Sequence, residues 1–306
     1  MKYVIFGAGG TGGALAFYLA KAGKDVTLIA RGAHLQALQE KGLTIRHLYN
    51  GTEETVPVKA CTSEEYTGTC DVLFICVKGY SVDSTLPFVK KAASKDTVIL
   101  PILNIYGTGG KMQEKLPGLY VVDGCIYVSA GRVAPGVLMQ HIPAMRVVFG
   151  ARRGQEARPK LQAIADDLTE AGIEGIYSHH IEVAALKKFS YVSPAGAAGL
   201  YFNCTAEAFQ KEGKERTFLE KLMREVQDVA EAMGFGFGKD FVPVNMKIMD
   251  SVIPETNTSM QRDVAAGHRS EVDGLVYEMV RLGKKYNVPV PCYTAVAEEM
   301  KKRGLK

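Results

Sequence analysis

The sequence of 306 residues lacks the patterns that mark several classes of protein. Its six cysteines form no Cys-x-x-Cys pair and stand at no metal-ligand spacing from a histidine, so we expect no metal site. No apolar run reaches the roughly 18 residues of a membrane-spanning helix. Lysine and arginine (37) exceed aspartate and glutamate (33) only slightly and without clustering, which argues against a nucleic-acid partner.

Two further absences bear on the cellular compartment. The first apolar strand begins at Lys2, so we expect no signal or transit peptide before the fold. Cysteines without a disulfide framework are typical of a reducing compartment. We therefore expect a cytoplasmic protein with neither a membrane nor a nucleic acid as its partner.

The N-terminal stretch contains the spacing G-x-G-x-x-G between an apolar strand and a helix over residues 10–22. In this context Gly7 allows the tight turn, Gly9 lets the backbone approach a pyrophosphate, and Gly12 allows close packing of the helix. The start of the helix adds free N–H groups and a positive dipole end. The pattern predicts a dinucleotide-binding loop, and its residues are Gly7, Ala8, Gly9, Gly10, Thr11 and Gly12.

The second predicted strand, residues 26–30, is not followed by the acid that commonly binds a ribose 2′-hydroxyl. Arg31 stands there instead, and an arginine fork binds a 2′-phosphate that an acid would repel. The substitution predicts NADP rather than NAD as the cofactor. The alternative for Arg31 is a solvated surface residue that binds no phosphate. For His34 two interpretations stay open: it faces the same phosphate, or it only begins the next helix.

Strands and helices alternate through the first part of the chain, which is typical of a parallel, doubly wound sheet. From about Ile181 onward only helical patterns follow. We predict an α/β fold in which an N-terminal Rossmann-type doubly wound sheet over residues 1–178 binds NADP. An all-helical C-terminal domain over residues 179–306 is predicted to bind the substrate. The other predicted strands are 3–6, 71–77, 97–103, one strand over 118–130, an added hairpin over 43–48 and 55–60, and short antiparallel strands within 136–142 and 146–150.

Polar residues follow two of the predicted sheet strands, at the edge where open α/β sheets bind ligands. Lys78 follows strand 71–77, and Asn104 follows strand 97–103. We expect both near the nicotinamide side of the cofactor. In the helical half, Lys188 is flanked by apolar residues, and burial of this kind makes a lysine a better acid. The alternatives are a surface lysine for Lys78 and, for Lys188, a helix lysine whose ammonium reaches solvent.

Taken together, these segments resemble the ketopantoate reductase (2-dehydropantoate 2-reductase) family over essentially the whole chain. The resemblance is carried by GAGGTG, ARGAHLQALQEKGL, VKGY, LNIYG, AALKK and TSMQRDVAAGHRSEVDGL. It implies reduction of a small 2-oxo acid to a 2-hydroxy acid with NADPH, as in pantothenate biosynthesis.

The resemblance also implies roles for individual residues. Lys188 matches the catalytic proton donor, and Glu271 matches an acid near this lysine and the nicotinamide ribose. Ser259 matches a substrate contact, while Asn104 stands between cofactor and substrate. Lys78 and Ala130 match cofactor contacts. A homodimer formed through the helical half is a further expectation.

The chain departs from the family pattern along the helix of Lys188. Family members often carry asparagine four and eight residues after the lysine, where this sequence has Val192 and Gly196. Because these amides bind the substrate, three functions stay open: reduction of ketopantoate, reduction of another 2-oxo acid, or NADPH sensing without turnover. The retained lysine and its acid argue against the sensor. Three nearby residues are candidates to replace the lost amides, namely Ser190, Ser193 and Asn203.

Overall fold

The computed structural model describes residues 1–305 and divides the chain into two compact units. The first unit comprises Met1–Leu103 and Gly107–Ile181. The second comprises Asn104–Tyr106 and the residues from Glu182 onward. The short segment after a sheet strand, which begins with Asn104, therefore belongs to the helical unit.

The first unit is built on a parallel sheet of six strands. In spatial order these are β5 (Lys59–Cys61), β2 (Asp25–Ile29), β1 (Lys2–Phe6), β6 (Cys70–Ile75), β7 (Ala93–Pro101) and β8 (Tyr120–Val121). Alternate residues of the central strands enter different hydrophobic clusters: Ile5 and Phe74 lie in one, Val4 and Leu73 in the other. The sheet is thus buried on both faces, which explains the near-continuous apolar runs of its strands. The predicted α/β fold with an N-terminal parallel sheet is confirmed.

The helices of the first unit alternate with its strands along the chain. They are α1 (Gly10–Lys21), α2 (Gly32–Lys41), α3 (Val82–Ala92), α4 (Thr108–Lys115) and α5 (Lys160–Glu170). A single 3₁₀ turn, Gly79–Ser81, precedes α3. The helix α1 starts directly after β1, so the glycine-rich segment forms the strand-to-helix turn that its sequence predicts.

Two smaller sheets complete the first unit. One contains β10 (Ala130–Ala134), β11 (Val137–Gln140), β3 (Leu43–His47) and β4 (Thr52–Val56), in that order. The other contains β13 (Glu174–Tyr177), β12 (Arg146–Gly150) and β9 (Asp123–Tyr127). The hairpin predicted over 43–48 and 55–60 is formed by β3 and β4, with its second strand shifted toward the N-terminus.

One strand prediction for this region is wrong. The stretch 118–130 is not one strand, because β8 pairs in parallel with β7 whereas β9 pairs antiparallel with β12. Val122 separates β8 from β9 and is itself apolar, so hydrophobicity alone does not mark the change of pairing partner. The short antiparallel strands predicted within 136–142 and 146–150 are present, since β11 pairs antiparallel with β10 and β12 pairs antiparallel with β9.

The second unit is helical, and among residues 178–305 the structure contains no strand. Its helices are α6 (Ile181–Phe202), α7 (Glu207–Gln210), α8 (Lys214–Ala232), α9 (Val242–Ser251), α10 (Ser259–Ala265), α11 (Glu278–Tyr286) and α12 (Pro291–Lys302). A π-helical turn, Asp273–Tyr277, leads into α11. The apolar face predicted for α8 is buried in the core, at Leu219, Leu222, Val226 and Val229. No helix within residues 1–305 is long and apolar enough to cross a membrane.

Candidate active site

The glycine-rich turn of the first unit is held by backbone contacts. Gly7 has φ +111°, and a Cβ built there would lie 2.6 Å from the carbonyl oxygen of Cys76. A Cβ at Gly12 would lie 2.1 Å from the carbonyl oxygen of Gly7. By contrast, no described atom beyond its chain neighbours lies within 4 Å of a Cβ at Gly9. The turn is therefore packed at its two ends and open in the middle, as a backbone that receives a pyrophosphate must be.

The start of α1 adds an electrostatic preference for an anion at this turn. Gly9 is the N-cap residue, and the first turn of the helix carries no acidic residue. No side chain of that turn thus competes with a bound anion for the first N–H groups of the helix. Gly10 and Thr11 are the first helical residues, while Ala8 precedes the cap. The predicted loop residues therefore form a turn that fits a dinucleotide.

Ala130 lies directly against this turn. A Cβ at Gly10 would be only 2.1 Å from the carbonyl oxygen of Ala130 and 3.0 Å from Cα of Gly131. The first residues of β10 thus pack on the start of α1. Only the family resemblance implied a role for Ala130, and the structure brings this residue and the glycine-rich turn together.

Lys78 and Arg31 each follow a strand that flanks β1. A Cβ at Gly7 would lie 3.1 Å from Cγ1 of Val77. Lys78 is the next residue, so it lies close to the glycine-rich turn. Arg31 is the exposed N-cap residue of α2, two residues after β2 ends. Both positions are at the carboxyl edge of the sheet, where the sequence predicts them.

His34 is a structural residue in the first unit. Its side chain is 5% exposed, and its Nδ1 accepts a hydrogen bond of 2.8 Å from the backbone N–H of Gly136. Burial, together with the nearby charge of Arg132, lowers the pKa of His34. This hydrogen bond ties α2 to the β10–β11 hairpin, while Nε2 of His34 is buried and has no hydrogen-bond partner among the described residues.

The second unit holds the polar residues predicted to act on the substrate. Lys188, on α6, is 8% exposed, and its Nζ donates a hydrogen bond of 2.7 Å to Oδ1 of Asn104. Of the two alternatives left open for Lys188, this burial agrees with the buried lysine and not with a helix lysine whose ammonium reaches solvent. Burying an ammonium is costly unless it is hydrogen-bonded, so the carbonyl oxygen of Asn104 stabilises the charged form.

Glu271 lies in the same unit and is 5% exposed. Its backbone carbonyl accepts a hydrogen bond of 3.0 Å from Leu275 N–H, at the π-helical turn Asp273–Tyr277. Within this turn, a Cβ at Gly274 would lie 2.3 Å from Cδ1 of Ile105. The residue after Asn104 therefore packs closely on the turn that follows Glu271. Single π-turns of this kind occur frequently at functional sites.

Ser259 is the half-buried first residue of α10. Thr258 and Gln261 form a capping box that fixes the start of this helix. The next residue, Met260, reaches α6, since a Cβ at Gly196 would lie 2.8 Å from Cε of Met260. Sequence reasoning missed this contact, as well as the contact of Gly274 with Ile105. The only signal for these contacts in the sequence is a glycine close to each predicted site residue, namely Gly196 after Lys188 and Gly274 after Glu271.

Within residues 1–305, no three His, Cys, Asp or Glu side chains are grouped so as to hold a metal ion.

Known proteins match both halves of the chain. Residues 3–154 match the model of the family described as ketopantoate reductase PanE/ApbA, and residues 180–304 match the model of its C-terminal part. A 2-dehydropantoate 2-reductase of Mesorhizobium japonicum is 28% identical, over 97% of this chain and 95% of the relative.

Solved structures share the fold at low sequence identity. The crystal structure of 2-dehydropantoate 2-reductase from Methylococcus capsulatus has a TM-score of 0.88 at 23% identity, covering 99% of this chain and 97% of the other. A ternary structure of D-mandelate dehydrogenase with NADH and anilino(oxo)acetate has a TM-score of 0.86 at 22% identity, with coverages of 97% and 96%.

The family models and the named relatives define the class of the protein, which is an NADP-dependent oxidoreductase. Since the two family models together match most of its length, the chain belongs to the ketopantoate reductase family.

Proposed function

We propose that the protein reduces a 2-oxo acid to the corresponding 2-hydroxy acid with NADPH, and that Lys188 donates the proton. The observation that carries the proposal is the hydrogen bond of 2.7 Å between Nζ of buried Lys188 and Oδ1 of Asn104. A buried ammonium held by a neutral amide is suited to proton donation. Ketopantoate is the first candidate substrate because it is the substrate in the family name.

We further propose that the glycine-rich turn, Lys78, Arg31 and Ala130 bind NADP(H). The open space at Gly9 and the uncapped start of α1 support a pyrophosphate there. The exposed guanidinium of Arg31, at the end of β2, supports a 2′-phosphate. In the same proposal residues 1–178 bind the cofactor, and residues 179–306 together with Asn104 bind the substrate.

When bound, the cofactor supplies a hydride from C4 of its nicotinamide ring to the carbonyl carbon of the substrate. Lys188 gives a proton to the carbonyl oxygen, and the neutral amine then regains a proton from solvent. Before that transfer its ammonium stabilises the negative charge that develops on the oxygen. Asn104 orients the ammonium through its carbonyl oxygen. We assign to Glu271 a positioning role, because a nearby carboxylate favours the charged form of a lysine.

Ser259 is proposed as a substrate contact. Its position at the start of α10, next to the residue that reaches Gly196, supports this role. A homodimer and a cytoplasmic location stay predictions of the sequence.

The experiment that tests the proposed function is a turnover assay that follows NADPH oxidation by its absorbance. It compares ketopantoate with a panel of other 2-oxo acids and uses NADH as the control cofactor. We expect turnover with NADPH on at least one 2-oxo acid. Tight binding of NADPH without turnover on any of them would contradict the proposal and favour an NADPH-sensing protein.

A further inference from the structure

We propose that Asn245 is a positioning residue for the proposed reaction: its amide fixes the turn of α6 that carries Lys188, where Pro194 deprives the helix of a hydrogen bond. This inference rests on the proposed function and adds a residue to it. It follows from the hydrogen bonds of the second unit and from the position of one proline.

Pro194 lies inside α6. A proline has no backbone N–H, so it cannot make the helical hydrogen bond to the carbonyl oxygen four positions earlier, which here belongs to Ser190. Its ring also crowds that carbonyl group. Ser190 follows Lys188 by two residues. The turn in which α6 loses this hydrogen bond is therefore the turn of the candidate proton donor.

Asn245, on α9, supplies a donor to this carbonyl. Its Nδ2 donates a hydrogen bond of 3.0 Å to the carbonyl oxygen of Ser190 and one of 2.9 Å to Oγ of the same residue. The orientation of the amide follows from its partner, because the amide oxygen could not donate to a carbonyl oxygen. Asn245 and Ser190 are each 1% exposed, so bulk water does not replace these hydrogen bonds.

The same hydrogen bonds continue to the other side of Lys188. Oγ of Ser190 donates its hydrogen to the carbonyl oxygen of Lys187 at 2.8 Å while it accepts from Asn245. One amide thus holds a backbone carbonyl before Lys188 and one after it, the first through a serine hydroxyl and the second directly. Since the ammonium of Lys188 hydrogen-bonds to Asn104 at 2.7 Å, a shift of this turn would displace the ammonium.

From Ser193 onward, α6 is held by other contacts. Oγ of Ser193 donates to the carbonyl oxygen of Leu275 at 2.5 Å, so it accepts from the hydroxyl of Tyr293. Before the proline, Phe189 packs on the large hydrophobic core, whereas Leu186 lies in a separate small cluster. Beyond it, four residues enter the large core, namely Ala195, Ala197, Ala198 and Leu200. The turn before the proline therefore depends more on its hydrogen bonds.

The remaining polar atom of the Asn245 amide shows what the residue provides. Its Oδ1 is buried and has no hydrogen-bond partner among residues 1–305. An unsatisfied buried acceptor lowers stability, and an apolar side chain would avoid that cost. A residue needed for packing alone would resemble Met246 and Met249, which are buried on the same helix. The amide contributes two donors, and both meet Ser190.

The variant Asn245→Ala removes these donors. With NADPH and the 2-oxo acid that is turned over fastest, we expect kcat to fall about 10- to 100-fold, as for a catalytic group displaced by about 1 Å. The KM for the 2-oxo acid and the dissociation constant for NADPH should change far less. An unchanged kcat would overturn the inference and leave the proposed function intact.

A second substitution, Pro194→Ala, separates positioning from packing. Alanine returns the N–H that the helix lacks opposite Ser190, so the donor of Asn245 is no longer needed. The double variant with Asn245→Ala should regain most of the lost kcat, and Pro194→Ala alone should keep kcat close to the original. If Asn245→Ala alone does not fold, the double variant must fold and turn over substrate. A double variant no more active than Asn245→Ala would overturn the inference.

The matched control is Met246→Ala. Met246 is the next residue on α9, is 5% exposed and belongs to the large core. This variant should lower the melting temperature at least as much as Asn245→Ala does, because it leaves a larger cavity. Its kcat should stay close to that of the unmodified protein, and Pro194→Ala should not raise its melting temperature.

Two further outcomes would overturn the inference. An equal loss of kcat in Met246→Ala and Asn245→Ala would attribute the effect to loss of packing, with the proposed function intact. Absence of turnover by the unmodified protein on every 2-oxo acid would instead overturn the proposed function, and this inference with it.

Discussion

The two units fix their candidate site residues by different means, and their glycines show the difference. In the first unit, a Cβ at Gly10 would collide with a backbone atom, the carbonyl oxygen of Ala130, at 2.1 Å. In the second unit, a Cβ at Gly274 would collide with a side-chain atom, Cδ1 of Ile105, at 2.3 Å. A backbone carbonyl is present whatever the residue type, whereas a side chain can be shortened by mutation. The glycine-rich turn of the first unit, which we call the main-chain site, is therefore fixed by backbone atoms. The site around Lys188 and Asn104 in the second unit, which we call the side-chain site, is fixed by the packing of side chains.

This contrast corresponds to the task of each site. A pyrophosphate is the same in every dinucleotide, and backbone N–H groups at a helix start recognise it without any particular side chain. A substrate differs from one enzyme to the next, so the residues that act on it must be side chains. The predictions that follow test this division, beginning with the largest expected effect.

The largest effect is expected at the lysine of the side-chain site. Lys188→Ala should lower kcat by about 10²- to 10⁴-fold, the usual contribution of a positioned proton donor. The dissociation constant for NADPH should change little, because the main-chain site is intact. Steady-state kinetics and fluorescence titration with NADPH measure the two quantities.

The control for this variant is Lys187→Ala. Lys187 is the residue next to Lys188 on α6. Its ammonium lies 6.0 Å from the ring centre of Phe237 and 5.3 Å from that of Phe241, so its side chain contributes to packing. This variant should keep kcat close to the original value. Equal losses of kcat and NADPH affinity in Lys188→Ala would contradict the role assigned to its lysine.

The next effect concerns the main-chain site. Gly10→Ala should lower the free energy of unfolding by about 3 kcal/mol, at the upper end of typical overpacking costs. Because the colliding atom is a carbonyl oxygen, a second change, Ala130→Gly, should not restore stability. Chemical denaturation measures both variants.

Gly9→Ala is the matched control in the same turn. Since no described atom beyond its chain neighbours lies within 4 Å of the added Cβ, this variant should unfold like the original protein while binding NADPH more weakly. Rescue of Gly10→Ala by Ala130→Gly would show that the turn is not fixed by main chain.

A smaller loss of stability, which a second substitution can restore, is expected in the second unit. Gly274→Ala should cost about 1–3 kcal/mol of stability and lower kcat, because the added methyl group displaces Ile105 and with it the neighbouring Asn104. Adding Ile105→Ala removes the colliding side chain and should return much of the stability and kcat. If the double variant has the same stability and kcat as Gly274→Ala alone, the contact between Gly274 and Ile105 is not fixed by the side chain of Ile105.

The smallest effect is expected for cofactor choice. Arg31→Asp should shift the ratio of kcat/KM from NADPH toward NADH by about tenfold, within the range for one hydrogen bond to a charged group. Arg46→Asp makes the same change of charge at an exposed residue of β3 and should leave the ratio unchanged. An unaltered ratio in Arg31→Asp would contradict its proposed contact with the 2′-phosphate.

The same contrast explains how much of the site could be predicted from the sequence. The strand, the glycine spacing and the start of α1 are consecutive, so the turn around Gly9 could be identified from local pattern alone. The fold class could also be identified, because alternating strands and helices followed by helices only have few possible arrangements. The predicted position of Arg31 depends in the same way on residues close in sequence.

The side-chain site could not be identified in this way. Asn104 follows a strand of the sheet, yet it packs in the helical unit and hydrogen-bonds to Lys188, which is 84 residues away. No periodicity in the sequence brings Met260 to Gly196, or Ile105 to Gly274. Such contacts depend on how helices distant in sequence pack, and only the family resemblance pointed to Lys188, Asn104 and Glu271 as a group.

The central claim, that hydride moves from NADPH to the carbonyl carbon of a 2-oxo acid, is tested most directly by isotope transfer. The protein is supplied with NADPH that carries deuterium at both hydrogens of nicotinamide C4 and with ketopantoate, and the product is analysed by mass spectrometry. The account predicts a 2-hydroxy acid with one deuterium at C2 and the loss of this product in Lys188→Ala. A deuterium-free product, or none with this or any other 2-oxo acid while NADPH is bound, would contradict it.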